Sequence, residues 1–188
     1  MQSFEDIWSD ENLIKVLKDN GVAVMPTDTL YGIVGKAENA EVVNRIYTIR
    51  KRNPEKSCII LIGDMDELKK FSIILTPEQK NIVENFYTPT SFVLDCPEKK
   101  FTYLHRGAKT LAFRVPSPQS LRDLLMKVGP LIAPSANPEG LLPAENISQA
   151  KEYFGDSVDL YLDGGSRKGK VSKVIKLHKD GSINILRE

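Results

Sequence analysis

Residues 110–133 read TLAFRVPSPQSLRDLLMKVGPLIA, and the pattern changes twice within them. Thr110 to Val115 alternates as a half-buried strand does. Leu111, Phe113 and Val115 share one face, and Thr110, Ala112 and Arg114 share the other. Ser117-Pro118 then opens a helix whose Leu121, Leu124 and Leu125 recur at helical spacing. Gly129-Pro130 stops that helix, and Leu131-Ile132-Ala133 is a short apolar strand. Strand, helix and strand in succession are the unit of an α/β sheet.

The same alternation of elements continues outward. Leu13, Ile14 and Leu17 mark a helix that stops at Asn20-Gly21. Val22 to Met25 is a strand ending at Pro26, and Leu30 to Lys36 is a second extended stretch. Val42, Val43, Ile46 and Tyr47 belong to a helix ended by Asn53-Pro54. Cys58 to Ile62 reads as a buried strand, and Asp64 caps a short helix reaching Lys70. Thr76-Pro77-Glu78-Gln79 is a capping box that opens a helix to about Phe86. Ser91 to Leu94 is a strand, and Cys96 to Lys109 is a long loop, basic at both ends. Ile147 to Phe154 is helical, with Gly155 as its stop, and Val158 to Leu162 is a strand. Val171 to Leu177 and Ile183 to Leu186 flank Lys179-Asp180-Gly181 as a hairpin. That hairpin excludes a purely parallel sheet, so the expected class is mixed α/β.

Composition narrows the function classes. The 188 residues fit one domain, residues 1–188, with no room for a further C-terminal one. With 26 basic and 25 acidic residues the chain is nearly neutral, which argues against nucleic-acid binding over its whole surface but allows a local basic groove. Cys58 and Cys96 form no CxxC pair and the two histidines, His105 and His178, are far apart, so the pattern assigns no metal site. Met1 to Asp10 is acidic, unlike a secretory signal, and no apolar run is long enough to span a bilayer. A cytoplasmic location with no membrane partner is expected.

Against that neutral background, Arg50-Lys51-Arg52-Asn53-Pro54-Glu55-Lys56 packs four cations at the end of a helical pattern. Arg50 and Lys51 suit the negative end of their helix, but Lys56 lies beyond the helix stop and points to anion binding. Pro26-Thr27-Asp28-Thr29-Leu30-Tyr31-Gly32 and Pro134-Ser135-Ala136-Asn137-Pro138 both follow strands, where open α/β sheets place ligands. Each, taken alone, also reads as a turn. Arg114 is the lone charge on its strand, either plainly exposed or an anion ligand beside Thr110. Asp163-Gly164-Gly165-Ser166 is not a P-loop, and no Ser-His-Asp pattern is present.

Taken in order, these segments resemble the YrdC/TsaC family of L-threonylcarbamoyladenylate synthases, from about Val22 to Leu177. Pro26 to Gly32 is similar to its opening motif. Arg50, Arg52 and Lys56 resemble its KxR…K motif with Arg50 in place of the usual Lys. Phe113-Arg114-Val115-Pro116, Pro134-Ser135-Ala136-Asn137, and Asp163-Gly164-Gly165 with Ser172 resemble the remaining elements. Ser57, Leu61 and Tyr87-Thr88-Pro89-Thr90-Ser91 depart from it: a Pro or Gly, a substrate-contacting His and a Trp-Pro-Gly-Pro segment are usual there.

The resemblance implies a twisted mixed parallel/antiparallel sheet with flanking helices and a basic concave groove. It implies a nucleotidyltransferase that converts L-threonine, bicarbonate and ATP, with Mg²⁺ on the nucleotide, into threonylcarbamoyl-AMP and pyrophosphate. The product serves threonylcarbamoyladenosine modification of tRNA, with tRNA or double-stranded RNA and tRNA-modification proteins as partners. By the resemblance, Arg52, Lys56 and Arg114 are the catalytic candidates. Arg52 and Lys56, with Thr110, Ser135 and Asn137, would hold the nucleotide. Thr29, Ala133 and Ser172 would hold threonine, and Arg114 would clamp its carboxylate through two nitrogens. Two other readings compete: a YciO-like paralogue that binds RNA without synthase activity, and a carbamoyl-adenylate module using carbamoyl phosphate.

Overall fold

The computed structural model describes residues 7–86 and 89–188. The first residues of the acidic N-terminus, 1–6, and Tyr87-Thr88 of the divergent segment lie outside the described residues. The strands are β1 (Ala23–Pro26), β2 (Tyr31–Lys36), β3 (Ile59–Leu61), β4 (Thr90–Asp95) and β5 (Thr110–Arg114), followed by β6 (Leu131–Ile132), β7 (Leu160–Tyr161), β8 (Lys173–Leu177) and β9 (Ile183–Arg187). The helices are α1 (Glu11–Lys18), α2 (Ala40–Ile49), α3 (Pro77–Glu84), α4 (Thr102–His105), α5 (Gln119–Val128) and α6 (Ile147–Phe154), with short 3₁₀ turns between them.

One sheet runs in the order β7-β1-β2-β6-β3-β5-β4-β8-β9. The β1–β7, β3–β5 and β4–β8 pairs are parallel and the others antiparallel, so the sheet is mixed. Strand alternation separates two apolar layers. Leu13 and Leu17 of α1 and Leu121, Leu124 and Leu125 of α5 pack with Ala23, Met25, Val34, Leu61 and Leu131. On the other face Val42, Val43 and Ile46 of α2 and Phe154 of α6 cluster with Val24, Ile33, Ile60, Leu111 and Phe113. Each such side chain contributes about 1.5–3 kcal/mol by leaving water. The parallel register pairs Ile59 with Ala112 and Leu61 with Arg114, so these four share the face covered by α1 and α5. The helices cover its β1–β2–β6 end, and over β5, β4 and β8 the face is left open.

Most boundaries fall within two residues of the sequence reading, and the exceptions have physical causes. Helix α2 ends at Ile49, well before Asn53-Pro54, because its last turn closes locally. Lys51 adopts φ +50°. Its N–H donates to the Thr48 carbonyl and that of Arg52 to the Tyr47 carbonyl, which is the Schellman arrangement. Helix α1 ends the same way, with Asn20 left-handed (φ 62°) and Gly21 N–H on the Val16 carbonyl. The Thr76–Gln79 capping box forms as expected. The Cys96–Lys109 stretch is not a plain loop: Lys99–Phe101 is a 3₁₀ turn and α4 follows it. Buried Phe101 and Leu104 and a Tyr103 hydroxyl bond to the Ala37 carbonyl hold it there. Both cysteines are buried free thiols. Among the described residues no helix is long and apolar enough to cross a membrane.

Candidate active site

The open part of the α1/α5 face is a cavity of about 390 Å³. Six stretches of chain converge on it: the β1–β2 turn, the α2–β3 connection, strand β4 through Val93, strand β5, the end of β6, and the C-terminal pair β8–β9. Of the residues expected at the site, Thr29, Arg52, Thr110, Arg114, Ala133, Ser135 and Ser172 line it. Arg50, Tyr31 and Arg187 line it as well. Lys56 and Asn137 do not. Leu61, fully buried in the α1/α5 layer, stands behind the wall rather than in it.

The β1–β2 turn is organised by Thr27, which is 3% exposed. Its hydroxyl donates to the Leu30 carbonyl at 2.8 Å and accepts from the Thr29 and Leu30 amides. The turn thereby aims Asp28 and Thr29 at Arg114. The Arg114 Nη2 donates to Asp28 Oδ1 at 2.9 Å and to Thr29 Oγ1 at 3.3 Å. Both Nη2 protons are then committed. Each two-nitrogen edge of a guanidinium includes one of them, so the expected bidentate carboxylate clamp is not preformed. A ligand carboxylate must displace Thr29 or bind through Nη1 alone. Nε of Arg114 and Oδ2 of Asp28 are buried without a hydrogen-bond partner.

The Pro134–Asn137 loop lies beside the start of β2: Ile33 N–H donates to the Pro134 carbonyl and Ala136 N–H to the Tyr31 carbonyl. This places Ser135 and Asn137 against Arg50, which the Schellman turn folds inward. Arg50 is 3% exposed. Its Nε donates to the Asn137 carbonyl at 2.9 Å, and its Nη2 to Asn137 Oδ1 and Ser135 Oγ. Among the described residues no carboxylate pairs with it, and Nη1 is buried without a hydrogen-bond partner. Burial, and then repulsion from Arg52, pull its pKa down to about 10. It therefore stays charged at neutral pH, a fixed cation awaiting a counter-charge.

Arg52 uses Nε and Nη2 to hold the carbonyls of Lys56 and Ser57. Lys56 itself turns to Glu139, with Nζ 2.5 Å from Oε1, and is 59% exposed at the rim. Glu139 also accepts from the Asn53 amide. Asn137 is a brace: it fixes Arg50 and donates to the Pro138 and Leu141 carbonyls.

At the far side, Ser172 is buried, with its hydroxyl 2.9 Å from that of Ser91. Arg187 donates to the Ser172 carbonyl from Nε and Nη2. Burial, then repulsion from Arg114, lower its pKa. Arg187 is hard to place from sequence, because β9 carries a register shift opposite Val174 and Ile175. A bulge breaks the alternation from which its direction would be read. The segment leading to Ser172 lies tight on the turn: a Cβ at Gly169 would sit 1.8 Å from the Thr29 carbonyl oxygen. Tyr31 anchors the start of that segment, accepting from Gly164 N–H and donating to the Gly165 carbonyl.

Among the described residues the cavity is thus lined by four guanidinium groups in two pairs, Arg50 with Arg52 and Arg114 with Arg187, and by no carboxylate; Asp28 lies behind Arg114 and is paired with it. Hydroxyls of Thr29, Thr110, Ser135 and Ser172 complete it. Neither histidine lines it. A larger cleft of about 980 Å³ opens beside α5 and the 3₁₀ turn Met65–Phe71. It gathers none of these residues, and its charges are mixed, Asp64, Asp66 and Glu67 beside Lys70 and Arg122. The smaller cavity is the chemically equipped one.

Comparison with known proteins shows the family. The family model for Sua5, YciO and YrdC, described as telomere recombination, matches residues 15–188. The threonylcarbamoyl-AMP synthase of Hahella chejuensis is 28% identical over 184 residues, 96% of this chain and 98% of that protein. The structure of E. coli YciO superposes with a TM-score of 0.80 at 25% identity, covering 100% of this chain and 91% of that one. P. abyssi Sua5 complexed with L-threonine shares the fold, with a TM-score of 0.81 at 24% identity over 94% of this chain. This chain spans about half, 52%, of that Sua5 chain.

Proposed function

This chain belongs to the family of Sua5, YciO and YrdC, and on that premise we propose that it is a threonylcarbamoyl-AMP synthase. The reaction condenses the amine of L-threonine with bicarbonate to a carbamate, releasing water. A carbamate oxygen then attacks the α-phosphate of ATP, and pyrophosphate leaves. Such a step needs alignment and neutralised charge rather than a protein nucleophile. The observation that carries the reading is the cavity lined by two guanidinium pairs and hydroxyls, with Asp28 paired to Arg114 behind its wall.

Arg50 and Arg52 then face the triphosphate, with Ser135 and Thr110 beside the nucleoside and Asn137 bracing Arg50. Lys56 reaches the phosphates by leaving Glu139 at the rim. Thr29, Ala133, Ser172 and Arg114 take threonine, with Arg187 beside them. The donor set does not fit a protein-held magnesium ion, because among the described residues no carboxylate lines the cavity and Asp28 behind it is committed to Arg114. Mg²⁺ therefore enters as part of the nucleotide substrate. The adenylate would pass to the enzymes that modify tRNA, in the cytoplasm, with RNA as a secondary contact.

Pyrophosphate release from ATP, measured with threonine and bicarbonate present and with each omitted, tests this. Release that requires both is expected. Release independent of threonine, or none from folded protein, rejects the synthase and leaves an RNA-binding paralogue.

A further inference from the structure

The basic stretch 96–109 lines no part of the cavity, yet one of its side chains reaches the wall. Arg106 stands at φ +53°, a left-handed conformation unusual for a side chain other than Gly or Asn. There its guanidinium lies 4.0 Å from the ring centroid of Tyr47 on α2. Nη2 donates to Asn44 Oδ1 at 2.9 Å, while Nε is buried with no hydrogen-bond acceptor. The ring face is what receives that cation.

Tyr47 is 7% exposed and belongs to the apolar cluster under α2. Its hydroxyl donates to the Lys56 carbonyl at 2.7 Å. The same carbonyl accepts from Arg52 Nε at 3.1 Å, and the Arg52 guanidinium is 5.9 Å from the Tyr47 ring. Tyr47 thus touches both ends of the cationic connection: Arg52, which lines the cavity, and the carbonyl of Lys56. Burial foremost, and then nearby Cys58, push its hydroxyl to a pKa of about 12, so it remains a donor throughout the physiological range. The opposite side of the connection is held by Glu139, through Asn53 and Lys56.

We propose that Tyr47 and Arg106 are positioning residues for the triphosphate subsite, transmitting the placement of the 96–109 segment to Arg52 without touching substrate. The proposal rests on the synthase reading for its kinetic form only. Its structural form, that Arg106 and Tyr47 set the shape of residues 50–57, stands separately.

The test uses the full chain with Arg106→Ala, Arg106→Lys, Tyr47→Phe and, as a control at an exposed site of the same segment, Lys99→Ala. Arg106→Ala and Tyr47→Phe should each raise the KM for ATP roughly three- to tenfold, the worth of one stacked cation or one hydrogen bond. The KM for threonine and kcat should stay within about twofold, and Arg106→Lys should restore most of the loss. A general loosening of the fold would move both KM values together. Hydrogen exchange at residues 50–57 is read in parallel and should accelerate in Arg106→Ala but not in Lys99→Ala. Unchanged exchange there overturns the proposal whether or not the protein makes the adenylate. With a competent wild type, so does an ATP KM that Arg106→Ala leaves unmoved. A wild type that binds no ATP rejects the synthase reading instead, and the exchange data then decide the coupling alone.

Discussion

Arg114 and Asp28 show how much rests on single residues. Their side chains are only 4% and 2% exposed, at 2.9 Å, at the wall of a cavity whose charged lining residues are all arginines. Removing one member of a buried pair leaves the other's charge unsolvated, which typically costs 3–5 kcal/mol. Asp28→Asn keeps an acceptor for Nη2 but removes the one negative charge, and Arg114 then faces Arg187 uncompensated. We expect a loss of about 3 kcal/mol in urea unfolding, with a fall in Tm of roughly 6–12 °C. A midpoint equal to wild type would show that the pair carries no stability. Arg114 was legible in the sequence as the lone charge on an alternating strand. Asp28 was not, since an Asp inside Pro-Thr-Asp-Thr has an adequate local reason to be there as a turn former. Arg50 was read as a helix-end cation. Its inward aim comes from a backbone turn that no residue type announces, because Lys51 occupies the position where Gly is usual.

That turn belongs to the scale of elements. Helices α1 and α2 both end in the same arrangement, with Asn20 and Lys51 in the left-handed position. Asn tolerates that conformation through its short polar side chain. Lys has no such compensation and costs roughly 1 kcal/mol relative to Gly. Lys51→Gly should therefore stabilise the protein by about 0.5–1 kcal/mol in chemical denaturation at unchanged m-value. Loss of stability would mean that the exposed Lys51 side chain makes a contact worth more than the strain. Periodicity located the strands and the longer helices because each buries a face against the sheet, and the capping box of α3 announced itself. It missed α4, a single turn too short to nucleate alone, which persists through Phe101, Leu104 and the Tyr103–Ala37 bond. It also overran α2, since Asn53-Pro54 is a strong stop signal but the chain had already turned at Arg50.

The candidate site exists only at the scale of the whole molecule. Its lining runs from Thr27 to Arg187, so nearly the full length of the chain must be in place before the two guanidinium pairs face one space. Burial first, and then repulsion within each pair, lowers the pKa values of Arg50 and Arg187, and the folded chain carries that concentration of positive charge. An anion that neutralises it binds the folded chain and not the unfolded one. Linkage then makes ligand binding a stability measurement: at one hundred times its Kd a ligand adds about 2.7 kcal/mol. For a chain of 188 residues this is a rise in Tm of roughly 5–10 °C. ATP alone should give that rise in a thermal scan, and threonine should add to it only through the Arg114 side, so Ser172→Ala should abolish the second increment and keep the first. Equal loss of both increments in Ser172→Ala would mean that the cavity is one undivided anion site. Absence of any shift with ATP would mean that the arginine pairs serve some other anion.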